Sequence, residues 1–281
     1  MEFQAEILKV IQSFHTPLLD GFFILITNLG SEAFYFALIP VIYWSRDKKL
    51  GLGLGSALII SMYTNVVLKE ITAIPRPIGY PGIRSLYTLS AGGFSFPSGH
   101  AQGSATLWSI LMRRYNTCRA YVLGTGIIFI VSLSRLYLGL HWPLDVIGGI
   151  ILGVFTAFIF LRIEKTKIPS NAALQLVFSV AFPLVLLKIF PHHDVYKYTG
   201  MLMGIWLGAI FENKFIDFQP ENRNFFKTAL KYTAGLTGFL AVYLGLKILL
   251  PPLDIFSMLR YFLLGLWLVA GAPFIFKKFE L

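Results

Sequence analysis

The sequence predicts an all-α protein, built as a polytopic bundle of transmembrane helices. Three observations lead there. Hydrophobic residues make up 56% of the 281 residues and charged residues only 14%, against about 25% charged in an ordinary globular chain. The apolar residues fall into long runs, several near the roughly 20 residues that cross a hydrocarbon layer. Lys and Arg collect in the short loops between alternate runs, as the positive-inside rule requires. The same composition excludes a disordered chain. Cys118 is the only cysteine, which excludes a disulfide framework and a cysteine-based zinc site. The net charge is +10, yet no basic run is interleaved with aromatics. Anionic lipid headgroups are therefore the expected partner of these cations, and nucleic acid is not.

Residues 2–14 come first. Phe3, Ile7, Leu8, Ile11 and Phe14 share one helical stripe, with Glu2, Glu6, Lys9 and Gln12 mostly elsewhere. This predicts an interfacial amphipathic helix over 1–15, without the basic start and apolar core of a cleaved signal peptide. Ten candidate spans follow, at 16–30, 31–45, 50–69, 98–113, 118–139, 142–163, 171–190, 199–213, 228–250 and 254–276. The first, second and eighth are short. Asn28-Leu29-Gly30-Ser31 separates the first two, and Pro75, Pro77 and Pro81 break the longest early loop. Ile168-Pro169-Ser170-Asn171, Pro191, Pro220 and Pro251-Pro252 divide the remainder. Phe23, Tyr43 and Trp44 read as lipid-facing or interface residues.

One set of loops carries Arg46, Lys48 and Lys49, then Arg113, Arg114 and Arg119, then Arg162, Lys165 and Lys167. Lys214, Arg223, Lys227, Lys277 and Lys278 continue the series. This is the expected cytoplasmic side, together with both termini. The opposite side is poor in charge, and its exceptions are Lys69, Arg76, Arg84, His100, Arg135, His141 and Asp145. An ionisable group at the end of an apolar span is costly and points to function. Several others have plainer readings. His15 fits an interface, His192-His193 a solvated turn, and Lys247 and Arg260 snorkelling or pairing with Asp254. Arg84 could meet a substrate headgroup or simply solvate its loop.

The exceptional residues have a fixed spacing: Lys69-x6-Arg76-Pro77, then Pro97-Ser98-Gly99-His100, then Ser134-Arg135-x5-His141-x3-Asp145. In order and spacing this resembles the type 2 phosphatidic acid phosphatase superfamily, which includes lipid phosphate phosphatases and vanadium haloperoxidases. The resemblance covers about residues 20–163. It implies a six-span phosphatase core over 16–167, followed by about four additional spans over 168–281.

The residue types suit phosphate chemistry. Lys69, Arg76 and Arg135 supply three cations, and the planar fork of Arg fits phosphate oxygens. Ser98 and Gly99, where the fourth span begins, can offer a hydroxyl and backbone N–H groups at a helix N-terminus. His141 reads as the nucleophile, forming a phosphohistidine. Asp145, one helical turn on, would accept the other ring N–H and fix the tautomer. Pro143 between them suits a helix start. His100 reads as the general acid and then the base that activates water. The family assigns the same roles to these positions. The cations stand where a metal would act, so neither metal nor cofactor is expected.

The expected activity is hydrolysis of lipid-linked phosphate monoesters or pyrophosphates at the outer face of an integral membrane protein. A bacterial inner membrane is the expected location, with the site on the periplasmic or extracellular side. The loop from Pro77 to Pro97 is too short to embrace a large soluble substrate. By resemblance the candidate substrates are undecaprenyl diphosphate, phosphatidylglycerol phosphate, phosphatidate, sphingoid-base phosphates and lipid A. Other readings stay open. They are phosphotransfer to another acceptor, a sugar phosphatase resembling glucose-6-phosphatase, a vanadate-dependent peroxidase, and a transporter or lipid-binding scaffold with an inactive core.

Overall fold

The computed structural model describes residues 1–164, 171–220 and 225–281. Lys165, Lys167 and Arg223, and the breaker Ile168-Pro169-Ser170, lie outside them. Each of the ten candidate spans corresponds to helix, in order. α1 is Glu2–Gln12, α2 Pro17–Thr27, α3 Glu32–Ser45, α4 Lys48–Thr72, α5 Gly99–Tyr115, α6 Cys118–Tyr137 and α7 Pro143–Ile163. α8 is Ala172–Ile189, α9 His193–Phe211, α10 Phe225–Leu249, α11 Asp254–Leu266 and α12 Ala272–Lys278. Two π-helical turns, Glu212–Ile216 and Trp267–Gly271, follow α9 and join α11 to α12.

Among the described residues, six helical segments are long and apolar enough to cross a membrane. They are Lys48–Thr72, Cys118–Tyr137, Pro143–Ile163, Ala172–Ile189, Phe226–Leu249 and Asp254–Lys278. The protein is an integral membrane protein. The remaining candidate spans are helical but fall short of that test. α2 passes only together with α1, as a pair bent by 116° that would make a seventh span, and α3 has 14 residues with Pro40 inside it. α5 is diluted by buried Gln102, Ser104 and Thr106, whose partners are inside the protein.

The chain forms two compact units, and neither is continuous in sequence. The first comprises Met1–Tyr35 and Ile60–Lys165, and the second Phe36–Ile59 and Thr166–Leu281. In the first unit α5 packs along α7, where Gly149 permits close approach. A Cβ there would lie 2.6 Å from the Ser98 carbonyl oxygen. Small residues bring helix backbones together in this way inside membranes. The end of α4 joins α5 through a buried polar network. Asn65 Nδ2 donates to Gln102 Oε1 (2.8 Å) and to the Pro97 carbonyl (3.1 Å), and Gln102 Nε2 donates to the Ser61 carbonyl (2.7 Å).

α1 shows more than the interfacial face expected of it. Ala5, Leu8 and Gln12 are buried, and Ala5 and Leu8 pack on Trp142, while Phe3 and Phe14 stay exposed. Gln12 Nε2 donates to the carbonyls of Arg84 (2.7 Å) and Tyr137 (2.9 Å), and its Oε1 accepts from the Arg84 amide. The helix thus clamps the loop that runs between Arg76 and Ser98.

The second unit corrects the reading of the aromatics. Tyr43 and Trp44 are 4% and 0% exposed. Tyr43 Oη donates to the Val269 carbonyl (3.1 Å) and Trp44 Nε1 to that of Leu268 (2.8 Å). Both carbonyls belong to the π turn, whose widened ladder makes carbonyls available to outside donors. Phe23, in the first unit, is also buried, against Tyr137. Lys48 pairs with buried Glu212 at 3.0 Å. His193 bonds to Asp254, the partner expected of Lys247 or Arg260.

Candidate active site

All eight residues singled out by their spacing fall in the first unit. Lys69 ends α4, and Arg76 lies in the loop beyond it. Ser98 is the N-cap of α5, and Gly99 and His100 begin its first turn. Arg135 lies in the last turn of α6, and Asp145 in the first turn of α7. His141 sits in the tight connection between α6 and α7. That connection turns at Gly139, whose φ of +65° is left-handed. A side chain there would also collide with the Arg84 carbonyl, which packs directly on the turn.

His141 is the centre of the constellation and is 1% exposed. Arg76 Nη1 lies 2.9 Å from His141 Nε2, and Asp145 Oδ2 lies 3.5 Å from Nδ1. A guanidinium only donates, so Nε2 is the acceptor and Nδ1 carries the proton, facing the carboxylate. Burial, then the charges of Arg76, Arg135, Lys69 and His100, hold His141 well below the usual imidazole range. All four groups therefore lie within electrostatic reach of the ring. Asp145 Oδ2 also accepts the Trp142 amide at 2.7 Å, so one oxygen both caps α7 and faces the histidine. Pro143 takes the first helical position, as expected.

The cations are aimed by backbone. Arg76 donates to the carbonyls of Gly92 (2.7 Å), Gly93 (2.9 Å) and Leu140 (2.8 Å). Lys69 Nζ donates to the Phe94 carbonyl at 2.5 Å. Arg135, fully buried, donates to Thr27 Oγ1 (2.8 Å) and Ser90 Oγ (3.1 Å). Residues 90–94 thus supply acceptors to all three cations. At the site, the buried Ser98 Oγ and Arg135 Nε have no hydrogen-bond partner among the described residues.

Arg84 stands apart, paired with Asp20 at 2.6 Å, and Tyr137 Oη donates to the other oxygen of that carboxylate. His15 bonds to the Gln12 carbonyl and His192 caps α9, so neither joins the site. Three polar contacts escape sequence reading: Thr27 and Ser90 on Arg135, and Ser95 on Asp145 (2.5 Å). Ser95 stands two residues before Pro97 and could have been noticed only by that proximity. Thr27 and Ser90 carry no local signal. Among the described residues, no three His, Cys, Asp or Glu side chains gather as a ligand set.

Residues 50–169 match the PAP2 superfamily, and residues 196–281 match the "PAP2 superfamily phosphatase, transmembrane extension". An undecaprenyl-diphosphatase of Sulfolobus acidocaldarius is 30% identical over 58% of this chain and 80% of its own length. The chain belongs to the PAP2 superfamily. Sphingosine-1-phosphate phosphatase 2 of Mus musculus is 29% identical over 66% of this chain, but the match spans only 57% of that relative. Among solved structures, the transmembrane PAP2-type phosphatidylglycerolphosphate phosphatase of Bacillus subtilis superposes with a TM-score of 0.52 at 25% identity. That match covers 60% of this chain and 88% of the other. Its PAP2 relatives are thus lipid phosphatases of membranes.

Proposed function

We propose that this PAP2 protein hydrolyses lipid-linked phosphate monoesters or pyrophosphates through a phosphohistidine on His141, with residues 16–167 carrying the chemistry. The observation that carries this reading is the geometry of the buried His141 ring, whose Nε2 lies 2.9 Å from the Arg76 guanidinium and whose Nδ1 lies 3.5 Å from the Asp145 carboxylate. The substrate phosphate, bearing about 1.5 to 2 negative charges near neutral pH, takes its place among Lys69, Arg76 and Arg135. Ser98 Oγ and Arg135 Nε, unpartnered among the described residues, are suited to its oxygens. Gly99 fits the same picture. Its φ is not left-handed, and an added Cβ would meet no protein atom closer than 3.4 Å. Packing gives no reason for a glycine there, whereas close approach of an anion does.

In the first step the arriving phosphate takes the Arg76 Nη1 hydrogen bond from Nε2, the freed Nε2 lone pair attacks phosphorus, and the ester P–O bond breaks; His100, as the imidazolium that the phosphate's negative charge favours, gives its proton to the departing oxygen. Asp145 steadies the positive ring through Nδ1–H. In the second step His100 takes a proton from water, the oxygen attacks phosphorus, and the P–N bond breaks. The three cations hold the equatorial oxygens throughout. They serve where other phosphatases place a metal, so the reaction is proposed to be metal-independent.

The undecaprenyl and sphingosine relatives support a lipid carrier for the phosphate. The scarcity of Lys and Arg in the site-bearing loops, apart from the site's own cations and Arg84, supports an outer-face location. The test is phosphate release by purified protein from a panel of lipid phosphates and pyrophosphates. We expect release that survives excess chelator and is inhibited by vanadate. His141→Ala should lower it by more than about a thousandfold. Parent-like release by His141→Ala, or loss on chelation restored by magnesium, would overturn the proposal.

A further inference from the structure

We infer that Ser95 is a positioning residue for the reaction, its hydroxyl joining Asp145 to His141 as a third member of the dyad. This rests on His141 as nucleophile. Ser95 is fully buried, and its Oγ lies 2.5 Å from Asp145 Oδ2 and 3.5 Å from His141 Nδ1. An ionised carboxylate has no proton to give, so the hydroxyl donates to Asp145 and turns its lone pairs toward Nδ1–H. Nδ1 thus faces two acceptors at equal distance, the carboxylate oxygen and the hydroxyl bound to it. When positive charge builds on the ring, either contact can shorten without moving the other residue.

The backbone explains why Ser95 is well placed for this. Its amide donates to the Ile74 carbonyl at 2.7 Å, two residues before Arg76. Immediately before it, Gly92, Gly93 and Phe94 present their carbonyls to Arg76 and Lys69. One short segment therefore aims two phosphate-facing cations and the carboxylate behind the nucleophile. Ser95 also blunts that carboxylate. Oδ2 accepts from both Ser95 and the Trp142 amide, so part of its charge is drawn away from the ring. The charged and titratable groups facing His141 are Lys69 from α4, Arg76 from the loop, His100 from α5, Arg135 from α6 and Asp145 from α7. Without the Ser95 hydroxyl, Asp145 would hold the ring proton to higher pH.

The experiment compares Ser95→Ala, Ser95→Cys and Ser95→Thr with the parent over a pH series on the most active lipid phosphate. Ser95→Ala should lower kcat roughly ten- to hundredfold, the factor matching one hydrogen bond to a charged group. KM should stay unchanged, and the acid limb of kcat should move to higher pH. Ser95→Thr keeps a hydroxyl and should restore both rate and limb. Ser95→Cys, nearly isosteric but a weak donor, should fall between them, and it carries the test if the alanine protein does not fold. Inhibition by inorganic phosphate reads the cations alone and should not change. Parent-like rate and acid limb in Ser95→Ala or Ser95→Cys would overturn the inference. Equal loss in all three variants with an unmoved limb would do so too, reducing Ser95 to space-filling. His141→Ala run in parallel separates the claims: activity there removes the nucleophile itself, whereas an inactive His141→Ala beside a parent-like Ser95→Ala removes only Ser95.

Discussion

A neutral imidazole can attack phosphorus and a protonated one cannot, so the surroundings of His141 set the acid side of the pH profile. Burial and the facing cations oppose a second proton on the ring. The free-enzyme acid limb of kcat/KM should therefore lie below about 6.5, the ordinary histidine value. Stability follows the same sign. As pH falls below about 6.5, the unfolded chain takes up a proton that the folded site refuses, so unfolding becomes easier. Melting curves between pH 7 and 5 should show the parent losing more stability than His141→Gln, and equal losses would count against a neutral buried ring. At this scale the sequence was informative where spacing carried the signal. Lys69, Arg76, His100, Arg135, His141 and Asp145 could be named from their intervals. Thr27, Ser90 and Ser95 could not, because serine and threonine are common and their contacts with Arg135 and Asp145 depend on the fold.

The helices bring these residues together only if α5 and α7 lie close, and that closeness rests on missing side chains. A Cβ at Gly149 would press on the Ser98 carbonyl, and one at Gly153 would lie 2.7 Å from Ala105 Cβ and collide with the Gln102 carbonyl. Gly153→Val should destabilise the protein by about 1–3 kcal/mol or more, and lower activity because His100 and Asp145 stand on the two separated helices. Gly126→Ala in α6 is the control. Its added methyl would meet nothing within 4 Å, so stability should hold or rise by about 0.5–1 kcal/mol. Thermal unfolding in detergent, with activity at fixed temperature, distinguishes these outcomes. An amphipathic stripe made α1 legible and hydropathy the helices after it, with α11 and α12 read as one span at 254–276. It did not disclose which aromatics were inside. Tyr43 and Trp44 look like a membrane-interface belt because each joins an apolar ring to a polar atom, but both atoms bond to carbonyls of a distant π turn.

At the scale of the whole molecule, two compact units share one chain, and residues 36–59 group with the C-terminal half. No local pattern announces that grouping, since it arises from contacts such as Lys48 with Glu212, far apart in sequence. The proposed outer-face site makes a whole-molecule prediction. In a Cys118→Ser background, Leu89→Cys lies at a 99% exposed position of the site-bearing loop, and Lys49→Cys at an exposed position among the basic residues. A membrane-impermeant maleimide should label residue 89 on intact cells and residue 49 only after permeabilisation. The reverse pattern would put the chemistry on the inner side. The phosphohistidine itself is tested most directly by rapid quenching into base during turnover of a labelled lipid phosphate, followed by peptide mapping. The account predicts label on His141, absent from His141→Ala protein. Label on another residue, or turnover of the parent with no protein-bound phosphate at any quench time, would contradict it.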